Sequence, residues 1–306
     1  MARFITRRLA QALVVLFGVS IVVFVLVRIT GDPTALLVSA DARPEDIERY
    51  RTSLGLDRPW HEQYLHFVGH ALRGDFGNSF RHREPAIALV LERIPNTLML
   101  TGAAMLLAYS LPILAGLLSA MRPNTALDAL IRGIAICAQA APSFWLGLVL
   151  MMIFSVRLDW LPPTGSSTLR GIILPAITLS AFFMATNVRL LRSSMLEVLS
   201  RDYVRTARAK GLSESLAIRR HAFKNAAIPL VTMAGIQFAS MIGGAIVTET
   251  VFAYPGMGLL AIQSIQSRDY PVIQAFVLVS AITIVVVNLL IDLAYVWLDP
   301  RIGLEG

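Results

Sequence analysis

Four polar side chains stand inside long apolar stretches of the sequence, where a polar solute could meet them: Gln139, Asn187, Gln237 and Glu249. A carboxylate deep in lipid is costly and usually marks a pathway or an ion pair. We therefore treat these four as candidates for lining a polar path across a membrane. Two other interpretations stay open. The amides can hydrogen-bond between neighbouring helices, and Glu249 can lie at the membrane interface, within reach of water or Arg268.

Motifs for catalysis or nucleotide binding are missing from the sequence. It contains no GxxxxGK[ST] phosphate loop, no HExxH zinc motif and no GxSxG nucleophile elbow. We predict no catalytic residue, no metal site and no cofactor in this chain. Four histidines fall in one region: His61, His66, His70 and His82. His66 and His70 share a helix face, but a metal site needs further fixed ligands, so we expect all four to face solvent.

The composition indicates a membrane environment. Of 306 residues, 56% are hydrophobic and only 15% are charged, with a mean hydropathy of +0.65, whereas a soluble domain has about 25% charged residues. The excess apolar surface predicts an all-α polytopic membrane protein. The net charge of +7 fits the arginine excess of cytoplasmic loops better than nucleic-acid binding. The single cysteine, Cys137, cannot form an internal disulfide.

Six segments have the roughly 20 mostly apolar residues that a membrane-spanning helix needs. They are Leu9–Ile29, Thr97–Met121, Ile131–Val156, Gly171–Leu190, Leu230–Phe252 and Val272–Leu298. Pro112, Pro142 and Pro175 lie inside three of them, but neighbouring helices can satisfy the freed carbonyls, so these prolines do not argue against spans. The first segment is longer than a signal-peptide core and lacks a cleavage site, which predicts an uncleaved helix.

Lysine and arginine residues set the predicted orientation. With the N-terminus inside, the short cytoplasmic segments carry most of the basic residues, and the short outer loops carry only Arg157, Arg170 and Arg268. Six spans then return the C-terminus to the cytoplasm. The segment 30–95, between the first two spans, becomes an outer insertion.

The outer insertion has the pattern of two short helices. Pro44, Glu45 and Asp46 suit the start of the first, and Gly55 suits its end. The second is predicted from aromatic and small residues at helical spacing, closed by a glycine: Trp60, Tyr64, Phe67, Ala71 and Gly74. Two short helices lying over the outer mouth fit this pattern.

The loop 191–229, between the fourth and fifth spans, is strongly basic, too long for a simple connector and too apolar to be disordered. Asp202 can cap a helix that runs from Tyr203 to Lys210, and Gly211 can take the left-handed conformation that ends it. A helix of this kind can sit in a groove on a partner and transmit a rigid-body push. The alternative is a basic loop that lies on anionic lipid headgroups.

The second half of this loop continues the pattern. Ser213 and Glu214 suit the start of a second helix, and Pro229 stands where the chain re-enters the membrane. The result is a short helix, a sharp turn and a second helix held against the membrane face.

Motifs along nearly the whole chain resemble a known family. The run SRDYVRTARAKGLSE, followed by RHAFKNAAIPLVT, is similar to the signature loop of binding-protein-dependent ABC importer permeases. Further matches are GDP at 31–33, LGLDRPW at 54–60, GDFGNS at 74–79, RIPNTL at 93–98, ETVFAYPGMG at 249–258, RDYPVIQA at 268–275 and NLLIDLAYVWLDPRIG at 288–303. The resemblance is strongest to the first-permease (B-type) subunit of the dipeptide, oligopeptide and nickel branch. Where the general loop has Glu-Ala-Ala, this chain has Arg205, Thr206 and Ala207, a departure that the peptide branch tolerates.

The resemblance implies a non-catalytic permease of the bacterial inner (cytoplasmic) membrane that forms half of a path for di- or oligopeptides. It implies as partners a second homologous permease, two cytoplasmic ATPase subunits that hold ATP and Mg²⁺, a periplasmic or extracellular substrate-binding protein, and membrane lipid. The residues implied to couple the chain to an ATPase are Asp202, Tyr203, Arg205, Thr206, Ala207, Ala209, Lys210, Gly211, Leu212, His221, Asn225 and Pro229.

Other functions remain as alternatives. The same type of transporter can carry nickel chelates, glutathione or another small solute. A stand-alone secondary transporter predicts internal repeats and broken helices with ion ligands, and we expect neither. A membrane enzyme is disfavoured by the missing motifs.

Overall fold

The computed structural model describes residues 2–30, 45, 49, 52, 57–165 and 168–298. Apart from one isolated β-bridge between Asn78 and Pro85, every regular element in these residues is helical, which confirms the predicted fold class. In chain order the helices are α1 (Ala2–Thr30), α2 (Trp60–Ala71), α3 (Ala86–Met121), α4 (Ala126–Ala140), α5 (Ser143–Met151), α6 (Leu169–Leu199), α7 (Asp202–Ala209), α8 (Glu214–Ala217), α9 (Phe223–Ala226), α10 (Ile228–Val251), α11 (Met257–Gln266) and α12 (Tyr270–Leu298). Short π-helical stretches extend α5 (Met152–Arg157) and join α8 to α9 (Ile218–Ala222).

Five of these helices are long and apolar enough to cross a membrane: α1, α3, α6, α10 and α12. Each contains one of the predicted spans, except that α10 ends at Val251, one residue before the predicted end at Phe252. The largest difference in a boundary is at α3, which begins at Ala86 rather than Thr97. Ala86 and Val90 are both fully buried, and Ile94 is partly buried in the same cluster. Apolar residues at this spacing extend a helical face past the predicted start.

The predicted third span, Ile131–Val156, is wrong as a continuous helix. It is broken into α4 and α5, which meet at an angle of 107°. Pro142 cannot donate to the helical ladder and disfavours helical backbone in the preceding residue, and Ala141 accordingly takes ψ 127°. Pro175, by contrast, lies inside the unbroken α6. The sequence predicts no broken helices with ion ligands, and it does not predict this break. A sixth span exists only if α4 and α5 count as one.

The chain forms two compact units, and the first comprises Met1–Pro95 with Gly256–Gly306. An apolar cluster in this unit joins the start of α3 to α11 and α12, through Val90, Met257 and Val272. The second helix predicted for the outer insertion is present as α2, and Gly74 follows it with φ +75°. Within the first, predicted between Pro44 and Gly55, the structure describes only Glu45, Arg49 and Thr52, and these three are helical.

The second unit, Asn96–Pro255, is built around α6. In the most apolar stretch of α6, 67% of the residues are buried, against at most 33% in the corresponding stretches of the other four spans. One apolar cluster packs α6 against α3 and α10, with Leu100, Leu179 and Met241 at its centre. A second cluster surrounds the end of α6 that precedes α7. Helix α6, which leads into the predicted coupling loop, is thus the most enclosed of the five candidate spans.

Candidate coupling segment and interhelical polar clusters

The predicted coupling helix is present as α7. The prediction that Asp202 caps it is wrong, because Arg201 takes the extended conformation that precedes the helix (ψ 145°) and Asp202 is already helical. Asp202 instead lies in the first turn, where a carboxylate suits the positive end of the helix dipole. Its Oδ1 is 3.6 Å from Nη1 of Arg205, one turn further on.

The left-handed conformation predicted for Gly211, in the turn after α7, is confirmed. Gly211 has φ +84°, and its N–H donates to the carbonyl of Arg208 at 2.9 Å. The Arg208 guanidinium then reaches across the turn and donates to both carboxylate oxygens of Glu214, at 2.9 and 2.6 Å. A two-point contact of this kind fixes direction as well as distance, so the turn holds α7 and α8 in one arrangement.

Helix α7 has a buried face and an exposed face. Val204 is fully buried in the cluster that contains Leu191 and Met195 of α6, and Ala207 is also buried. Leu212 is half-buried. The other predicted coupling residues of this stretch are exposed: Asp202, Tyr203, Arg205, Thr206, Ala209, Lys210 and Gly211. A partner that binds the exposed face of α7 would therefore displace α6 through the contacts of the buried face.

Three further predicted residues lie behind α7. The side-chain amide of Asn225 donates to the hydroxyl of Tyr203 at 3.0 Å and to the carbonyl of His221 at 3.1 Å. This contact joins α7 to the helical stretch that leads back to the membrane. Pro229 lies in the first turn of α10, where its missing N–H removes no helical hydrogen bond.

A buried ion pair that the sequence does not predict lies near the C-terminal end of α6, the end that leads to α7. Asp128 of α4 is fully buried, and Arg192 donates to its two carboxylate oxygens at 2.7 and 2.8 Å. Ser119 and the backbone N–H of Asn124 also donate to this carboxylate. Thr125 with Asp128 has the spacing of a capping box, which marks a helix start but gives no hint of a partner 64 residues away.

Two of the path candidates form a reciprocal pair. Asn187 and Gln237 are buried, and each side-chain amide donates to the oxygen of the other, at 3.0 and 2.8 Å. Asn187 also donates to the carbonyl of Ala108 at 2.7 Å, and the Tyr109 hydroxyl donates to Gln237 at 3.0 Å. The network ties α3, α6 and α10 together. Gln139 is half-buried, next to the break between α4 and α5.

The fourth path candidate, Glu249, is fully buried near the end of α10 and accepts a hydrogen bond from the Thr97 hydroxyl at 2.6 Å. Asn96 donates to the carbonyl of Pro255 at 2.8 Å, and the Tyr254 hydroxyl donates to the carbonyl of Asn96 at 3.1 Å. Burial, and then the nearby Glu249 carboxylate, raise the pKa of Tyr254 to about 12, so its hydroxyl stays a neutral donor. Two of the quoted motifs, RIPNTL and ETVFAYPGMG, thus meet in one cluster.

Two other quoted motifs meet in the first unit. Asp269 accepts from the Ser79 hydroxyl at 2.5 Å and from the backbone N–H of Phe80 at 3.1 Å, which joins GDFGNS to RDYPVIQA. Asp269 and the residues that donate to it all belong to the first unit.

Three of the four histidines, His61, His66 and His82, are exposed as predicted. His70 is half-buried: its ring lies 4.3 Å from that of His66, and its Nδ1 is 2.9 Å from the Asp75 carboxylate. The hydrogen bond from His70, followed by one from the Gly77 N–H, lowers the pKa of Asp75 below its ordinary value. Among the described residues no group of three or more His, Cys, Asp and Glu side chains is placed to hold a metal.

The fold and the coupling segment define a class of protein: a helical membrane domain whose central spanning helix ends in a surface helix with one exposed face. The model of the family "binding-protein-dependent transport system inner membrane component" matches residues 112–304, and the model of the corresponding N-terminal region matches residues 1–101. The chain belongs to this family, and it is the permease subunit of an ABC importer.

Curated relatives match over the full length. The glutathione transport system permease proteins GsiC of Escherichia coli strain K12 and of Shigella dysenteriae serotype 1 are each 41% identical over 303 residues, which cover 99% of both chains.

Two solved structures share the fold. They are an inward-facing MetNI methionine ABC transporter, with a TM-score of 0.54 and 17% identity, and an amino acid ABC transporter, with a TM-score of 0.54 and 15% identity. Each match covers 67% of this chain and 92% of the other. At these identities the likeness shows the fold alone.

Proposed function

We propose that this importer permease couples to a separate ATPase through α7 and forms half of a translocation path for di- or oligopeptides. The supporting observation is the division of α7 into two faces: one carries the residues implied for coupling, and the other is seated on α6. Because α6 is in turn tied to α4 by Asp128 and to α10 by Gln237, a displacement of α7 would reach the spanning helices as a rigid-body movement.

In this proposal the chain performs no chemistry. A second homologous permease completes the path, two cytoplasmic ATPase subunits hold ATP and Mg²⁺, and an outer binding protein delivers the solute. ATP binding closes the ATPases and shifts the path between outward- and inward-facing packings, which must be similar in energy. Both chain termini and α7 then lie on the cytoplasmic side of a bacterial inner membrane.

The cargo we propose is a short peptide. The relatives that are 41% identical over the full length are named as glutathione permeases, and glutathione is itself a tripeptide, so the name and the peptide prediction agree on chemical class. Nickel chelates and other small solutes are the competing cargo. The partner binding protein should bind a di- or tripeptide or glutathione in calorimetry; tight binding of a metal chelate and of no peptide would overturn the peptide assignment.

The coupling role is tested at the turn after α7. Gly211→Pro places a residue restricted to φ near −65° at a position with φ +84°, so ATP-dependent uptake into proteoliposomes should fall at least tenfold. Gly211→Asn is the matched control, because asparagine tolerates the left-handed conformation, and it should keep most of the uptake. Full uptake by the proline variant, or a tagged chain that never co-purifies with an ATPase, would refute the coupling role.

A further inference from the structure

Helix α2 contacts the spanning helix α1 at a level inside the apolar span. The Tyr64 hydroxyl is 2.8 Å from Oγ of Ser20, and the Tyr64 ring packs against Phe17 and Phe24 with centroid distances of 6.4 and 5.4 Å. The Phe67 ring lies 5.9 Å from Phe24. These contacts fall on α1 before the end of its span at Ile29.

The depth of these contacts follows from helix geometry. At about 1.5 Å per residue, Phe24 lies roughly 7 Å and Ser20 roughly 13 Å before Ile29. The span Thr6–Ile29 has 24 residues, so it is only slightly longer than a hydrocarbon core of about 30 Å. Ser20 therefore lies within the leaflet at this end of α1, and the aromatic side chains of α2 reach into that leaflet.

The polar and apolar side chains of α2 separate onto different faces. Glu62, His66 and His70 recur every four residues and line a cavity of about 410 Å³. Leu65, and Leu72 directly after the end of α2, lie seven residues apart on another side and are 68% and 84% exposed. Neither leucine lines the cavity. The polar residues therefore have a cavity to face, and the exposed leucines point elsewhere.

We infer that α2 is an interfacial helix and that lipid acyl chains cover its leucine face in the leaflet at the C-terminal end of α1. Leu65 directly follows Tyr64, and Tyr64 packs against Phe17 of the membrane span, which is itself 60% exposed. Trp60, 57% exposed at the start of α2, suits the membrane interface, where tryptophan is enriched. A polar face, an apolar face and this depth are the features of helices that lie in the membrane plane.

Site-directed spin labelling of the full chain in phosphatidylethanolamine and phosphatidylglycerol vesicles tests the inference. Cys137→Ser removes the single, exposed cysteine, and nitroxides are then placed at Leu65→Cys, Leu72→Cys and, as the matched control on the cavity face, His66→Cys. Molecular oxygen partitions into lipid, whereas a nickel chelate stays in water. The two leucine labels should collide more often with oxygen than with the nickel chelate, and the His66 label should show the reverse.

Two other occupants of the leucine face would give different results. If the face is in water, nickel collisions exceed oxygen collisions at Leu65 and Leu72; if it meets protein, such as a second chain, both labels are shielded from both reagents. Either result overturns the inference. An independent measurement guards against a label that disturbs α2: brominated lipids should quench part of the tryptophan fluorescence, and Trp60→Phe should remove part of that quenching. Unchanged quenching in Trp60→Phe would contradict the predicted depth.

Discussion

Helix α6 is tied to its neighbours by two buried polar contacts that lie only five residues apart. Arg192 forms a charged, two-point contact with Asp128 of α4, and Asn187 forms a neutral, reciprocal contact with Gln237 of α10. Both contacts satisfy their polar atoms within the protein. They differ in charge, and this decides what happens when one partner is lost.

The charged contact is the more fragile one. When one member of a buried ion pair is removed, the other is left as an uncompensated charge, although removing both together is often neutral. The loss of a neutral hydrogen bond between membrane helices costs much less, about 0.6 kcal/mol on average in one well-studied case. The contact nearer to α7 is thus the one less tolerant of a single substitution.

The largest predicted effect comes from Arg192→Met. It leaves Asp128, which is fully buried, without its main partner. The hydrogen bonds from Ser119 and Asn124 remain, but the compensating charge is then left to the half-exposed Arg132, 3.5 Å away. We expect the Tm of the detergent-solubilised protein to fall by roughly 5–10 °C in a thermal-shift assay. Asp128→Asn should cost about half as much, because the Arg192 side chain is 19% exposed and can move its charge toward water.

The double variant Asp128→Leu with Arg192→Met is the control for this prediction. It removes both charges and replaces them with apolar side chains of similar volume, so it should recover most of the Tm lost in Arg192→Met. If the double variant is as unstable as the single one, the contact contributes through its shape and not through its charge balance.

A smaller effect is expected at the neutral pair. Asn187→Leu leaves the Gln237 amide without one partner, while the Tyr109 hydroxyl still donates to it. The Tm should fall by roughly 2–4 °C in the same assay, and adding Gln237→Leu should not lower it further. A fall as large as that of Arg192→Met would show that charge is not what separates the two contacts.

The sequence predicts these contacts unequally, for physical reasons. Asn187 and Gln237 stand out because amides are rare in apolar runs, and such amides either line a polar path or hydrogen-bond between helices. Asp128 and Arg192 lie near helix ends, where charge is ordinary, so nothing local distinguishes them from solvated residues. Their contact depends on tertiary packing between α4 and α6.

The helices, turns and breaks also differ in how well the sequence predicts them. Spans are predictable because the length and apolarity of a run decide them, and the turn at Gly211 is predictable because few residues suit its conformation. The break at Pro142 is not, since Pro175 in a similar apolar run leaves α6 intact. The outcome depends on what neighbouring helices supply to the freed carbonyls. Tyr64 likewise gave no sign of its contact with Ser20.

The smallest effect on stability is expected at an ion pair with no burial. Asp202 and Arg205 are separated by 3.6 Å, and their side chains are 95% and 73% exposed. Water screens such a pair almost completely, so Asp202→Ala should change the Tm by less than about 1 °C.

Together with Arg192→Met and Asn187→Leu, this variant separates the effect of burial from the effect of charge. If Asp202→Ala also lowers ATP-dependent uptake while the Tm is unchanged, the exposed face of α7 acts in coupling and not in folding. A Tm loss close to that of Arg192→Met would instead mean that the α7 pair is buried against a partner in the purified protein. The three variants would then have to be compared in the assembled transporter.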